Sequence, residues 1–308
     1  MAQILSADDA MRVIRELQRM IMADNTASVP DYVNTLVEAG QIVVEPVVSM
    51  LMAEEGTTKN CADIEFTKSR NRGFPYSVTP SFSFSPKSVR FFTVLSEVLL
   101  RIGKPAADEL ISVVWGRWIS VPVGMVAMKM RFSPRNHEGI MIAIEILLPL
   151  IRADLENILV EGHDFSQEAA VYALRFASDA AAVKRLLEVA ATSKFLDVRF
   201  VCTRSLAHIA RDHFLLVAEN LKSPSEDIRR ALIKAMVYAD HPDTLKTFVE
   251  HFPVETYDPS KANILEYFCR KADPCTIGLL EPVAASDNSL LSSYARDALE
   301  KIARKSSP

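Results

Sequence analysis

Glycine is scarce in this chain of 308 residues, which holds nine in all. So few leave little room for a glycine loop that cradles phosphate, and none occurs. Aromatic residues make up 8%. Few glycines and few aromatics, beside abundant Ala and Leu, favour helices over sheets. There are four cysteines, Cys61, Cys202, Cys269 and Cys275, at irregular spacing. That spacing offers neither a disulfide framework nor a ligand-spaced pair, and the four read as reduced thiols of a cytoplasmic protein, with Cys202 on a core stripe. Histidines are equally uninformative about metal. His208 and His213 are five apart, on different faces of a helix, and His241 sits in a turn where Asp243 is a candidate helix cap. No Gly-x-Ser-x-Gly and no His-Glu-x-x-His occurs. Carboxylate pairs such as Asp8-Asp9 and Glu54-Glu55 stand where helix ends are expected. No catalytic residue, metal site or cofactor is expected. Long apolar runs are missing too. Ile140–Ile151 contains Glu145 and Pro149 and is too short to cross a bilayer. The start, Met1-Ala2-Gln3-Ile4-Leu5, lacks the charge and apolar length of a signal peptide. The reading is of a cytoplasmic protein away from membranes.

What is present is a repeat. Leu174, Leu206, Met236, Phe268 and Leu299 are apolar anchors spaced by 32, 30, 32 and 31 residues. Their surroundings agree: Asp197-Val198-Arg199 before Leu206 matches Asp227-Ile228-Arg229 before Met236, and Ala298 precedes Leu299. A period of this length with helical content predicts a solenoid of stacked helix pairs. The front half carries the same grammar less regularly. Residues 6–22 read as an amphipathic opening helix, with Ser6 as N-cap, Asp8 and Asp9 in the first turn, and Met11, Ile14, Leu17 and Ile21 on one face. The text 36–48 reads helix, stop at Gly40, second helix, and 99–110 repeats it around Gly103.

Val89-Arg90 at a helix start, then Leu99, Ile102-Gly103, Pro105-Ala106-Ala107 and Leu110, resembles a HEAT repeat of the short type found in phycobilisome-lyase HEAT-like units. Asp227-Ile228-Arg229 followed by Asp240-His241-Pro242-Asp243 and Leu245 is similar. The resemblance extends over roughly 30–55, 85–115, 138–160 and 163–303. It implies an all-α, right-handed α-α superhelix with two inserted loops in the N-terminal half: a single solenoid over 1–308, with cap and first repeat in 1–55, loops at 56–88 and 116–138, a repeat at 89–115 and C-terminal repeats in 139–303. It also implies that Arg90, Arg199 and Arg229 form a ladder with neighbouring aspartates, Asp197 and Asp227 among them.

The two interruptions carry the candidate site. Pro, Ser and alternating aromatics in 56–88, and Gly116, Pro122, Gly124 and Pro134 in 116–138, rule out long helices; a short hairpin is the most sheet expected. Each is locally basic at a net +3, in a chain whose net charge is −4. Lys68, Arg70, Arg72, Arg117, Lys129, Arg131 and Arg135, beside Trp115 and Trp118, form the candidate binding set. The two tryptophans share a face if the helix of 105–118 continues. Cations interleaved with aromatics suit phosphates, stacked bases or an acidic peptide. The favoured function is a protein-interaction scaffold or adaptor with an acidic protein partner. The first alternative is a module for an anionic ligand or nucleic acid. The second is a HEAT-like enzyme, a bilin lyase or isomerase or a DNA glycosylase, although no glycosylase motif is matched.

Overall fold

The computed structural model describes residues 5–25, 27–52, 86–123, 126–131 and 138–306, and the backbone alone for 118–123, 126–131, 138 and 306. Among the described residues the chain is built of α-helices and a β-hairpin, and it divides into two compact units, Met1–Ala173 and Leu174–Pro308.

In the first unit, α1 (Ala7–Met22) starts as its sequence demands. The Ser6 hydroxyl accepts from the Asp9 backbone N–H while the Asp9 carboxylate accepts from the Ser6 backbone, a reciprocal capping box. Its buried face is Ala10, Ile14, Leu17 and Ile21; Met11, expected there, is only half-buried. Helix α2 (Val29–Ala39) ends at Gly40, a short 3₁₀ turn follows, and α3 (Val44–Met52) is buried nearly throughout. The same punctuation separates α4 (Pro86–Ile102) from α5 (Lys104–Val114) at Gly103. Gly40 has φ 61° and ψ −132°, Gly103 φ 81° and ψ −133°: one backbone conformation, used twice, that a side chain would strain. The stretch Val29–Met52 is long and apolar enough to cross a membrane by composition, but 56% of its most apolar window is buried within the fold.

Helix α5 does not continue to residue 118. Trp115 caps it, Gly116 turns at φ 99°, and β1 (Trp118–Val123) begins. β2 (Val126–Arg131) returns antiparallel, pairing Trp118 with Arg131 and Ser120 with Lys129. The second expected loop is thus largely a hairpin, with β1 running beside α3. Helix α6 (Glu138–Glu161) packs on α3, α4 and α5. It buries Ile140, Ile144, Leu147, Ile151, Leu155 and Ile158, a helical stripe of threes and fours, and keeps Pro149 on the outside. A Cβ on Gly139 would meet the Leu51 carbonyl oxygen at 2.5 Å, so only glycine lets α6 start this close to α3.

In the second unit the end of α7 (Asp164–Leu174) leads to α8 (Ala180–Thr192), α9 (Leu196–Asp212), the short α10 (Phe214–Ala218), α11 (Glu226–Ala239), α12 (Thr244–His251), α13 (Asp258–Lys271), α14 (Ile277–Ala284) and α15 (Ser289–Ser306). The longer helices α9, α11, α13 and α15 pack in series, each on the next, with short helices between them. This is the packing of a helical repeat, each unit burying its apolar stripe on a neighbour. The anchors Leu174, Leu206, Met236 and Phe268 are fully buried. Leu299 is not. In α15 the stripe is Leu291, Ala295, Ala298 and Ile302, and Leu299 sits beside it, half-exposed.

Candidate functional site

Of the nine residues singled out from sequence, Lys68, Arg70, Arg72 and Arg135 lie outside the described residues. Trp118, Lys129 and Arg131 are placed on the hairpin by backbone register. Trp115 is 37% exposed at the end of α5. The turn at Gly116 means that Trp115 and Trp118 do not share a helix face. Arg117 is ion-paired with Glu109 of α5 at the surface, its own side chain 42% exposed.

Two of the repeat arginines, Arg199 and Arg229, are tied into the fold by partners other than the expected aspartates. Arg229 of α11 reaches Glu255, with Nη2 at 2.9 Å and Nε at 3.1 Å, and also donates to the Ser223 carbonyl. Glu255 is fully buried; its Oε1 accepts the backbone N–H groups of Thr256 and Tyr257, and His251 Nε2 lies 3.1 Å from Oε2. Burial alone would raise the Glu255 pKa, but the Arg229 hydrogen bonds, the Tyr257 amide and His251 outweigh it and bring it to about 2. Arg199 donates from Nε to the Ala190 carbonyl, and Arg90 is exposed on α4. The expected cap Asp243 makes no side-chain cap hydrogen bond; its neighbour Asp240 ends α11 in a left-handed conformation and accepts from the Tyr267 hydroxyl at 2.9 Å. The difference is one of reach. A glutamate from the loop after the next short helix reaches back to Arg229, whereas Asp227 stands exposed in the first turn of α11.

A second set of cations was not anticipated. The buried anchors fix which side chains of α9, α11 and α13 face away from the core: those two residues before and two after each anchor. On α9 these are Arg204 and His208, on α11 Lys234 and Tyr238, on α13 Glu266 and Arg270, all only partly buried or exposed. Phe200 and Arg230, one turn earlier, extend the columns, and Arg204 stands over the Phe200 ring at 5.6 Å. These groups feel one another. Burial pushes the Lys234 pKa below the usual lysine range; Arg230 and Arg199 push the same way and Glu266 opposes them. Burial raises Tyr238, with Arg204 lowering and Glu266 raising it. Burial likewise raises Glu266 against the pull of Arg270 and Lys234. Arg204, Arg230, Lys234 and Arg270 therefore stand near Glu266 on this face, while Arg199, seven residues before Leu206, lies on the anchor's side of α9. Arg270 is partly drawn off: its Nη2 donates to the Val237 carbonyl at 2.9 Å and lies 3.7 Å from Asp240. A crowd of like charges on a half-buried surface attracts an anion that displaces water between them. The signal was in the sequence, as steps of four around each repeat anchor. It was hidden because these cations are scattered over 70 residues and look like ordinary solvated helix charges one at a time.

No family model matches the chain, and no curated protein matches it. Among solved structures, it is similar to the complex of CpcE and CpcF of phycocyanin lyase from Nostoc sp. PCC7120, at 16% identity and a TM-score of 0.27, over 74% of this chain and 85% of that one. At so low a TM-score the likeness carries no inference about chemistry.

Proposed function

We propose that this protein is an interaction module, a helical-repeat scaffold of the cytoplasm that captures an acidic segment of a protein partner on the open face of α9, α11 and α13. The observation that supports it is the charge on that face, where Arg204, Arg230, Lys234 and Arg270 stand near Glu266 in a chain of net charge −4. Local excess of one sign against the sign of the whole is a docking signal, since it costs repulsion that only a partner removes. Phe200 and Tyr238 add aromatic surface of the kind that interfaces favour. The basic residues of the two inserted segments, Lys68, Arg70, Arg72, Lys129, Arg131 and Arg135, belong to the same reading as a second patch of the same sign, with Trp115 and Trp118 as its aromatic part.

The test uses labelled polyglutamate and fluorescence anisotropy. The intact protein binds it, with affinity falling steeply as salt rises. The triple variant Arg204→Glu, Arg230→Glu, Lys234→Glu keeps its helical circular dichroism and loses at least about tenfold in affinity, the scale expected of several rim charges reversed together. Reversing Arg70, Arg72, Arg131 and Arg135 weakens capture separately. If the triple variant binds like wild type, the helical face is not the site.

A further inference from the structure

The column of α9 that carries Arg204 continues into a histidine. His208 stands one turn after Arg204, two residues past the Leu206 anchor, and is half-buried. Its ring lies perpendicular to that of Phe176, with the centroids 6.5 Å apart. The guanidinium carbon of Arg175 stands 4.8 Å from the centroid of the same Phe176 ring. One phenyl ring thus touches both an arginine and a histidine at the edge of the open face. The imidazole is the group here whose charge changes near neutral pH.

The charges around His208 are of both signs. On α9 itself Arg204 is four residues before it, Arg211 three after and Asp212 four after. Arg175 comes from the turn before α8, and α8 adds the exposed Lys184 and Arg185, which is paired with Glu188. Helix α10 has no titratable side chain. Helix α11 presents Lys234 and Tyr238. In the turn after it, His241 is stacked on Phe214 at 4.5 Å, and its Nδ1 accepts from the Asp243 backbone N–H. Burial lowers the His208 pKa, Arg175 and Arg211 push the same way, and Asp212 opposes them. The imidazole is therefore neutral in the free protein at neutral pH.

A carboxylate docked beside Arg204 changes that balance. It offsets the like charge of the arginines and supplies a counter-charge, and both effects favour the imidazolium. We infer that His208 is a proton-linked contact of this face: a carboxylate of the captured segment lies against Arg204 and His208 together, and the imidazole takes a proton from solvent as the segment binds. This rests on the acidic-partner reading above and adds to it a contact residue and a regulation. The sign follows from linkage. A group that holds its proton more tightly in the complex than in the free protein makes the complex tighter as pH falls.

Labelled polyglutamate is titrated onto the full chain at about pH 8 and about pH 6, a range in which histidine changes charge and the probe's carboxylates stay ionised. The wild type binds about three- to tenfold more tightly at the lower pH, the gain expected when binding raises one histidine pKa by up to about one unit. In His208→Gln and in His208→Arg, which cannot titrate there, the ratio of the two affinities falls to about one. A measurement on the wild type keeps the test independent of the variants: in imidazole nuclear magnetic resonance spectra the His208 pKa moves up when polyglutamate is added to saturation. A pH gain that persists in His208→Gln, or a His208 pKa unmoved by polyglutamate, overturns the inference and leaves the acidic-partner reading standing. Failure of the wild type to bind polyglutamate at either pH overturns both.

Discussion

At the scale of single residues, Glu255 is the side chain on which the local structure of the second unit most depends. It carries a charge at zero exposure, and Arg229, His251 and two backbone amides hold it. Removing the charge leaves Arg229 half-served in a site 11% exposed, so Glu255→Gln should destabilise by roughly 2–4 kcal/mol in chemical denaturation. The pH dependence has a definite sign. The folded pKa is about 2 against an ordinary 4.5, so this stabilisation is whole above pH 4.5 and disappears as pH falls from there toward 2. A depression of that size corresponds to roughly 3 kcal/mol. Denaturation curves from pH 6 down to pH 2 should show the wild type losing more stability than Glu255→Gln; parallel curves would show that the carboxylate is not ionised in the fold. Leu206, fully buried at a repeat anchor, makes the simpler prediction: Leu206→Asp puts an unpaired charge into the stack and should cost roughly 3 kcal/mol or more.

At the scale of elements, the helix ends decide the geometry. Gly40 and Gly103 have open space where a Cβ would go, so only the backbone opposes a substitution there. Gly40→Ala or Gly103→Ala should cost about 1–3 kcal/mol, the strain of a non-glycine residue at such φ and ψ. Gly139 is the reverse case. Its backbone is ordinary, but a Cβ would strike the Leu51 backbone, so Gly139→Ala pries α6 from α3 and should cost about 1–3 kcal/mol. Thermal melts of the three variants compare the two kinds of glycine directly. Ala272, at φ 48° after α13, is a residue held in a left-handed cap without the usual glycine. Ala272→Gly should stabilise slightly, by up to about 1 kcal/mol, because relief of the strain outweighs the added freedom of the unfolded chain.

At the scale of the molecule, each compact unit has its own internal packing, and in the second unit each long helix touches mainly the next. Stability in such a stack is close to a sum of neighbour terms. Leu206→Asp should therefore strip amide hydrogen-exchange protection most from α8, α9 and α11, and least from α15. Uniform loss across all of these helices would mean that the unit melts as one block.

The repeat, the capping of α1 and the two glycine stops were legible in the sequence. They depend on local backbone chemistry and on apolar periodicity, which few residues suffice to encode. The anchors Leu174, Leu206, Met236 and Phe268 were placed correctly because burial recurs with the period. Leu299 was misplaced by one position, because the buried stripe of α15 runs through Ala295, Ala298 and Ile302. The turn of the chain from α5 into a hairpin at Gly116 depended on which of two local preferences won. The Arg229–Glu255 pair and the cationic face of α9, α11 and α13 were decided only in three dimensions. Both join residues about 26 to 70 positions apart, and nothing in the sequence alone sets which long side chain reaches across from one repeat to the next.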